Sequence, residues 1–197
     1  MRVLALYAHP SETSFVAALH ARIVATLRAD GHEVDDLDLY AEAFDPVMPR
    51  VAFHDYTDPA ANSAGIDRYV ERLRAAEAMT LVFPVWQDGF PAILKGFFDR
   101  VFLPGVSFRI DEHGVFYPML SKIRRLAGVG TYGGGRKRAN QMGDPTRRFV
   151  QRNLRELVAA DARVDYYGCY DMNDATPASR ARFLAKVTRG FERWRED

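Results

Sequence analysis

Apolar positions along the chain alternate between short continuous runs and longer stretches of helical period. Residues 2–7 (RVLALY) form an almost unbroken apolar run, which suits a strand buried on both faces of a parallel sheet. After a polar turn at 11–14, Phe15, Leu19, Ile23 and Leu27 recur every fourth residue as one face of an amphipathic helix, with Gly31 as its C-terminal cap. Residues 33–39 alternate polar and apolar, predicting a second strand nearer the sheet edge. Residues 40–64 hold three prolines and little periodicity, and read as a long loop. Ile66, Tyr69, Val70 and Leu73 mark a second helix, 79–85 a third strand, and Pro91 opens a third helix through Leu94, Phe97, Phe98 and Val101. Residues 105–119 predict a small hairpin carrying Phe108 and Phe116. A fourth strand at 126–130, glycines at 133–135, a helix at 149–158, a fifth strand at 164–170 and a last helix from Pro177 complete the series.

The order βαβαβαβαβα predicts an α/β fold in one domain, 1–197: a five-stranded parallel sheet with right-handed crossovers and helices on both faces. With the first strand near the centre, the expected strand order is 2-1-3-4-5. Ligands of such sheets bind at the carboxyl ends of the strands, where the order reverses. The loops gathered there are 8–14, 84–90 and 131–136, which are also the most chemically distinctive segments of the chain.

Composition narrows the class further. The 197 residues are 48% hydrophobic and 27% charged, as in ordinary globular proteins, and the net charge of +1 favours neither nucleic acid nor an anionic membrane. No stretch approaches the roughly 20 apolar residues of a membrane span, and the opening apolar run is too short for a signal peptide. Cytoplasm is the expected location. Cys169 is the single cysteine, so no intrachain disulfide or CxxC pair exists, and redox chemistry would need a borrowed cofactor. Cys169 itself reads as a small core residue.

The first loop, His9 to Phe15, contains no glycine and so is neither GxGxxG nor GxxxxGK[ST]. Its Thr13 and Ser14 either cap the following helix or, with that helix's positive end and unpaired N–H groups, hold a phosphate. His9 is either a structural histidine or a phosphate ligand. In the second loop, Trp86 at a strand end either packs on a neighbouring helix or walls a flat aromatic ligand such as an isoalloxazine. The third, Thr131-Tyr132-Gly133-Gly134-Gly135-Arg136, is either a flexible turn or a place where main chain approaches a ligand closely, glycine having no Cβ.

Four stretches, AHPSETSF (8–15), DLYAEAFDPV (38–47), FPVWQDGFPAILKGFFDRVF (83–102) and TYGGG (131–135), resemble in order and spacing the NAD(P)H:quinone oxidoreductase family of flavodoxin-like flavoproteins. That family includes DT-diaphorases and the ancillary subunits of bacterial potassium-efflux systems. The resemblance spans most of the first 135 residues, and the run 91–102 is its most specific part. It implies a flavodoxin-like fold, a bound flavin and NAD(P)H as electron donor. It also implies two-electron reduction of quinone-like acceptors by ping-pong exchange, with no side chain acting as nucleophile. His9, Thr13, Ser14 and Phe15 would surround the flavin phosphate. Pro84, Val85, Trp86 and Gln87 would lie along the ring, with Thr131, Tyr132, Gly133 and Gly134 opposite. Phe108 falls where an aromatic residue stands over the acceptor pocket. The hydroxyl-rich first loop favours FMN over FAD.

Amides of the Gly-rich turn, aided by Arg136, would answer the charge on a reduced flavin. The cluster Arg136-Lys137-Arg138 is alternatively a grip for the 2′-phosphate of NADPH or a solvated basic loop. The chain departs from the family in having Gln87 and Asp88 where aromatics are common. It also lacks a tyrosine and histidine soon after the Gly-rich turn, and the long C-terminal extension of the animal enzymes. The aromatic segment 97–108 predicts a homodimer whose interface completes the acceptor pocket. Two rival readings are a flavin-binding ancillary subunit docked on a membrane transporter such as a potassium-efflux system, and a small flavodoxin electron carrier. The net charge speaks against the carrier, since such carriers are generally acidic.

Overall fold

Val3, Leu4, Ala5 and Leu6 have no exposed surface, and the strand they build, β1 (Arg2–Tyr7), lies inside a parallel sheet between β2 (Glu33–Asp38) and β3 (Ala78–Val85). The structure, a computed structural model, describes residues 1–196. Beyond β3 the chain makes a two-stranded antiparallel hairpin, β4 (Phe108–Ile110) and β5 (Phe116–Pro118). It then returns to the sheet as β6 (Arg125–Tyr132) and β7 (Arg163–Cys169). The order β2-β1-β3-β6-β7 is the expected 2-1-3-4-5 with the hairpin inserted between the third and fourth sheet strands.

Successive residues of a strand face opposite sides, so each strand feeds two cores. Val3 and Tyr7 pack with Leu19, Ile23 and Leu27 of α1 (Phe15–Ala29) and with Phe191 of α7 (Pro177–Glu192). Leu4 and Leu6 face the other way, onto Leu73 of α3 (Asp67–Ala75) and Leu94 and Phe97 of α4 (Ala92–Val101). Each such fully buried side chain contributes about 1.5–3 kcal/mol. Gly31, at φ +83°, follows α1 as a left-handed cap residue. Gly96, inside α4, has a packing reason: a Cβ there would lie 2.3 Å from both the Cβ and the carbonyl oxygen of Pro46. The long loop before α3 thus packs directly on the α4 backbone.

Several expectations need correction. The stretch 40–64 contains a single-turn helix, α2 (Arg50–His54), which buries no residue and therefore shows no periodicity. Residues 136–148, for which the pattern predicts no element, form α5 (Arg136–Gln141) and α6 (Pro145–Arg148), whose buried side chains are Ala139 and Thr146. The expected helix at 149–158 is a π-helical turn, Phe149–Asn153, followed by a 3-10 turn, Leu154–Glu156. β6 runs on through Thr131 and Tyr132, so the Gly-rich turn proper is 133–135. The aromatic segment 97–108 is not surplus surface: Phe97, Phe98 and Phe102 are buried within the chain's own core, where the tilted rings of Phe98 and Phe149 meet at 4.9 Å. Among the described residues no helix is long and apolar enough to cross a membrane.

Candidate functional site

The carboxyl ends of β1, β3, β6 and β7 present four loops to one another. After β1, Ser14 caps α1, its hydroxyl accepting from the Ala17 amide at 3.0 Å. The capping reading of Ser14 is therefore true, and its hydroxyl also hydrogen-bonds the Tyr7 side chain. The amides of Phe15 and Val16 find no acceptor among the described residues, as first-turn amides do without a ligand. No acidic residue stands in that first turn to oppose an anion. His9 is half-buried, and its Nδ1 lies 3.0 Å from the Ser11 amide and 3.2 Å from the Ser11 carbonyl oxygen. Burial pushes its pKa below the ordinary imidazole value, so the ring is a neutral donor at pH 7. Thr13 is exposed, its hydroxyl 3.1 Å from that of Ser11.

After β3, Trp86 and Gly89 exchange two backbone hydrogen bonds, of 3.0 and 2.9 Å, closing a two-residue turn. Gln87 and Asp88 occupy its centre at φ +49° and +59°, the backbone that a type I′ turn requires and that non-glycine residues adopt at a cost of about 1–2 kcal/mol each. The turn leaves Trp86 44% exposed, its ring 6.0 Å from that of His9 across the gap between the first two loops. Asp88 reaches Arg138 of α5 at 3.1 Å.

The Gly-rich turn after β6 is held by the loop after β7, which the sequence reading did not single out. Asp171, at φ +58°, donates its amide to the Gly134 carbonyl at 3.0 Å. A Cβ on Gly133 would lie 3.3 Å from the Asn173 side chain, and one on Gly135 would lie 2.8 Å from Asp171 Oδ1. Glycine lets the two loops nest.

Between these loops lie two adjoining recesses that share Val85 and Gly133. The larger, about 300 Å3, is lined by His9, Ser14, Phe15, Pro84, Val85, Trp86, Thr131 and Gly133, together with Val16, Met172 and Asn173. The smaller, about 200 Å3, is lined by Val85, Gln87, Tyr132, Gly133 and Gly134, together with Asp88, Gly135, Arg138 and Ala139. Twelve of the fourteen residues singled out from the sequence fall in or beside this cluster, eleven lining a recess and Thr13 on the rim of the first loop. Arg136 does not line either recess; it is exposed at the start of α5, and Arg138 is the cation at the wall. Phe108 lies elsewhere: it begins the hairpin beside Pro104 and Gly105, where Arg74 at the end of α3 also bonds, at the amino ends of the strands. Within one copy of the chain the structure does not bring it to the recess.

A larger cavity, about 700 Å3, is also at the amino ends, among charged residues such as Glu77, Lys122, Arg124 and Asp161. Arg124 and Asp161 pair with each other at 2.7 Å there. It has neither free helix-start amides nor an aromatic wall, and ligands of this sheet type bind at the opposite end. Cys169 is buried, and burial pushes its thiol up to about 11, so it is an inert core group.

These features define a doubly wound α/β protein whose candidate ligand site lies at the carboxyl ends of its sheet. The family model described as flavodoxin-like fold (Flavodoxin_2) matches residues 1–184, and the chain belongs to that family. It is 32% identical over 126 residues to rat NAD(P)H dehydrogenase (quinone) 1, covering 54% of this chain and 45% of that protein. It is 30% identical over 133 residues to an FMN-dependent NADH:quinone oxidoreductase of Lachnoclostridium phytofermentans, covering 66% and 64%. The chain spans about half the length of curated relatives such as the rat protein. A Streptococcus mutans protein of known crystal structure superposes with a TM-score of 0.83 at 27% identity, over 98% of this chain and 99% of that one. An NAD(P)H:quinone oxidoreductase from Methanothermobacter marburgensis shares the fold at a TM-score of 0.83 and 20% identity, over 98% of each chain. The expected fold and the resemblance to quinone oxidoreductases are both borne out.

Proposed function

We propose that this chain is a cytoplasmic, single-domain flavoenzyme that carries FMN and uses NAD(P)H to reduce quinone-like acceptors. The observation that carries this reading is the larger recess. One end offers a helix start with free amides and no acid, the other a flat tryptophan face and glycine main chain. A phosphate and a planar heteroaromatic ring need those two environments. The names of the two curated relatives point the same way.

FMN bound there supplies reversible two-electron chemistry, accepting a hydride from a nicotinamide and passing electrons to an acceptor. The residues supply binding and electrostatics. The amides of Phe15 and Val16, the Ser14 hydroxyl and the neutral His9 ring donate towards an anionic group, and the positive end of α1 favours it. Trp86, Pro84 and Val85 form an apolar wall, and the glycines opposite admit main chain to close contact. Arg138, rather than Arg136, is the side chain able to answer negative charge at the smaller recess, with Asp88 holding it at the wall. One recess serving donor and acceptor in turn gives ping-pong kinetics.

We also read the protein as a homodimer, on different grounds from the buried segment 97–108. The hairpin exposes Ile110, Val115, Phe116 and Met119, and Phe108 and Phe116 stack at 5.5 Å with rings 18° from parallel. An apolar paddle at the end of the sheet remote from the recess suits insertion against a second copy, which is the route by which Phe108 would reach an acceptor.

The test is to release the bound cofactor from purified protein and identify it by chromatography. FMN near one per chain is expected. FAD would overturn the choice of flavin, and protein that neither carries nor binds a flavin would overturn the function.

A further inference from the structure

Beneath the Gly-rich turn lies a buried carboxyl group that binding and electron transfer, as described, do not use. Asp144 is 5% exposed and makes no ion pair among the described residues. Its Oδ1 accepts from the Tyr132 hydroxyl at 2.6 Å and its Oδ2 from the Tyr170 hydroxyl at 3.1 Å. The Tyr132 hydroxyl is also 2.5 Å from that of Tyr166 and 3.0 Å from Thr146 Oγ1. Burial holds the hydroxyls of Tyr132 and Tyr166 well above the ordinary phenol range, so both keep their protons.

The cluster is costly to build. Asp144 adopts φ +42°, a left-handed backbone unusual for a non-glycine residue. Three strand glycines make room for its rings. A Cβ on Gly128 would lie 2.8 Å from the Tyr166 ring, one on Gly130 2.6 Å from the Tyr166 hydroxyl, and one on Gly168 2.7 Å from the Tyr170 ring. Glycine inside a strand weakens it, and apolar side chains of similar volume would fill such a space at least as stably as a buried carboxyl group. A fully satisfied polar cluster does what apolar filler does not: it fixes one geometry.

The geometry it fixes is that of the recess. Tyr132 is the last residue of β6, directly before Gly133, and it lines the smaller recess. Tyr170 directly follows β7 and precedes Asp171, whose amide holds the Gly134 carbonyl. The two oxygens of one carboxyl group therefore end on the two residues from which the facing walls spring.

We propose that Asp144 is a positioning residue for the flavin site, setting through Tyr132 and Tyr170 the spacing between the Gly-rich turn and the loop after β7. This rests on the flavin reading above. The test is titration of flavin-free protein with FMN, recording affinity and the visible circular dichroism of the bound flavin, beside thermal stability. Asp144→Asn, Tyr132→Phe and Tyr170→Phe each break one arm and should weaken FMN binding about tenfold, the loss expected for one hydrogen bond to a charged group. Each should also alter the flavin dichroism.

Tyr166→Phe removes a hydroxyl from the same cluster but leaves both arms of Asp144. It should lower stability while keeping wild-type affinity and dichroism. Tyr170 is half-buried at the rim, so its variant carries the test if Asp144→Asn does not fold. Affinity that tracks stability across all four variants, or that stays unchanged in Asp144→Asn and Tyr170→Phe, overturns the proposal alone. Wild-type protein that fails to bind FMN overturns the flavin reading and this inference with it.

Discussion

Ser14 caps α1 and, under the proposed function, also meets the phosphate. Its oxygen accepts from the Ala17 amide, and its proton is the group that would turn to an anion at the α1 start. The double change Thr13→Ala, Ser14→Ala should therefore cost about 1 kcal/mol of stability, the worth of an N-cap. It should also lose about 1.5–3 kcal/mol of FMN binding for each hydrogen bond to phosphate that disappears. Denaturant titration and an FMN titration read the two effects separately, and an unchanged FMN affinity would leave Ser14 as a cap alone. His9, Ser14, Trp86 and the glycines were legible because polar or unusual residues stood at strand ends where apolar ones were due. Met172 and Asn173 were not, although the same rule applies to the loop after the fifth strand. Arg138 was hidden for another reason: which of three adjacent basic residues faces the recess depends on the helical phase of α5, and that helix shows no apolar periodicity.

At the level of elements, legibility followed burial. Strands with two apolar faces and helices with a full apolar stripe were readable, whereas α2, α5 and α6 bury too little to print a period. The π-helical turn after α6 widens the helix at Phe149, a change that apolar spacing does not encode. Two contacts between elements make separate predictions. Gly96→Ala would raise helix propensity in α4 by up to about 1 kcal/mol, but its Cβ would strike the Pro46 backbone, and overpacking costs about 1–3 kcal/mol. Net destabilisation in denaturant is expected; a gain would show that the loop yields.

The second contact joins α1 to β2, where His20 Nε2 and Asp36 Oδ1 meet at 2.7 Å. That bond, acting against burial, holds the Asp36 carboxyl below its ordinary pKa. Its contribution is therefore fully present above the unfolded value of about 3.9 and is lost as the pH falls through the lower folded value. Because Asp36 is 39% exposed, the effect is screened to about 1 kcal/mol or less. Asp36→Asn should be less stable than wild type at pH 7, and the two should converge in acid. Equal stability at pH 7 would remove the bond from the account.

For the whole molecule, topology was the most legible property, because the alternation of strands and helices and the central first strand leave few parallel arrangements. What one chain's pattern does not carry is a second copy. The segment 97–108 seemed to need a partner only because two of its core neighbours, Phe44 and Phe149, come from distant parts of the sequence. The exposed hairpin now supports the dimer instead, and light scattering should give twice the chain mass; a monomer that reduces quinones at full rate would rule out a shared pocket. The central claim, that the recess at the strand ends is a flavin site, has a built-in reporter. Of the two tryptophans, Trp194 is buried with Phe191 in the α1–α7 core, and Trp86 stands on the recess wall. Titrating flavin-free protein with FMN while following tryptophan emission should quench Trp86 saturably at one FMN per chain, and Trp86→Phe protein should lose that quench. Emission from Trp86 that FMN leaves unchanged would contradict the account.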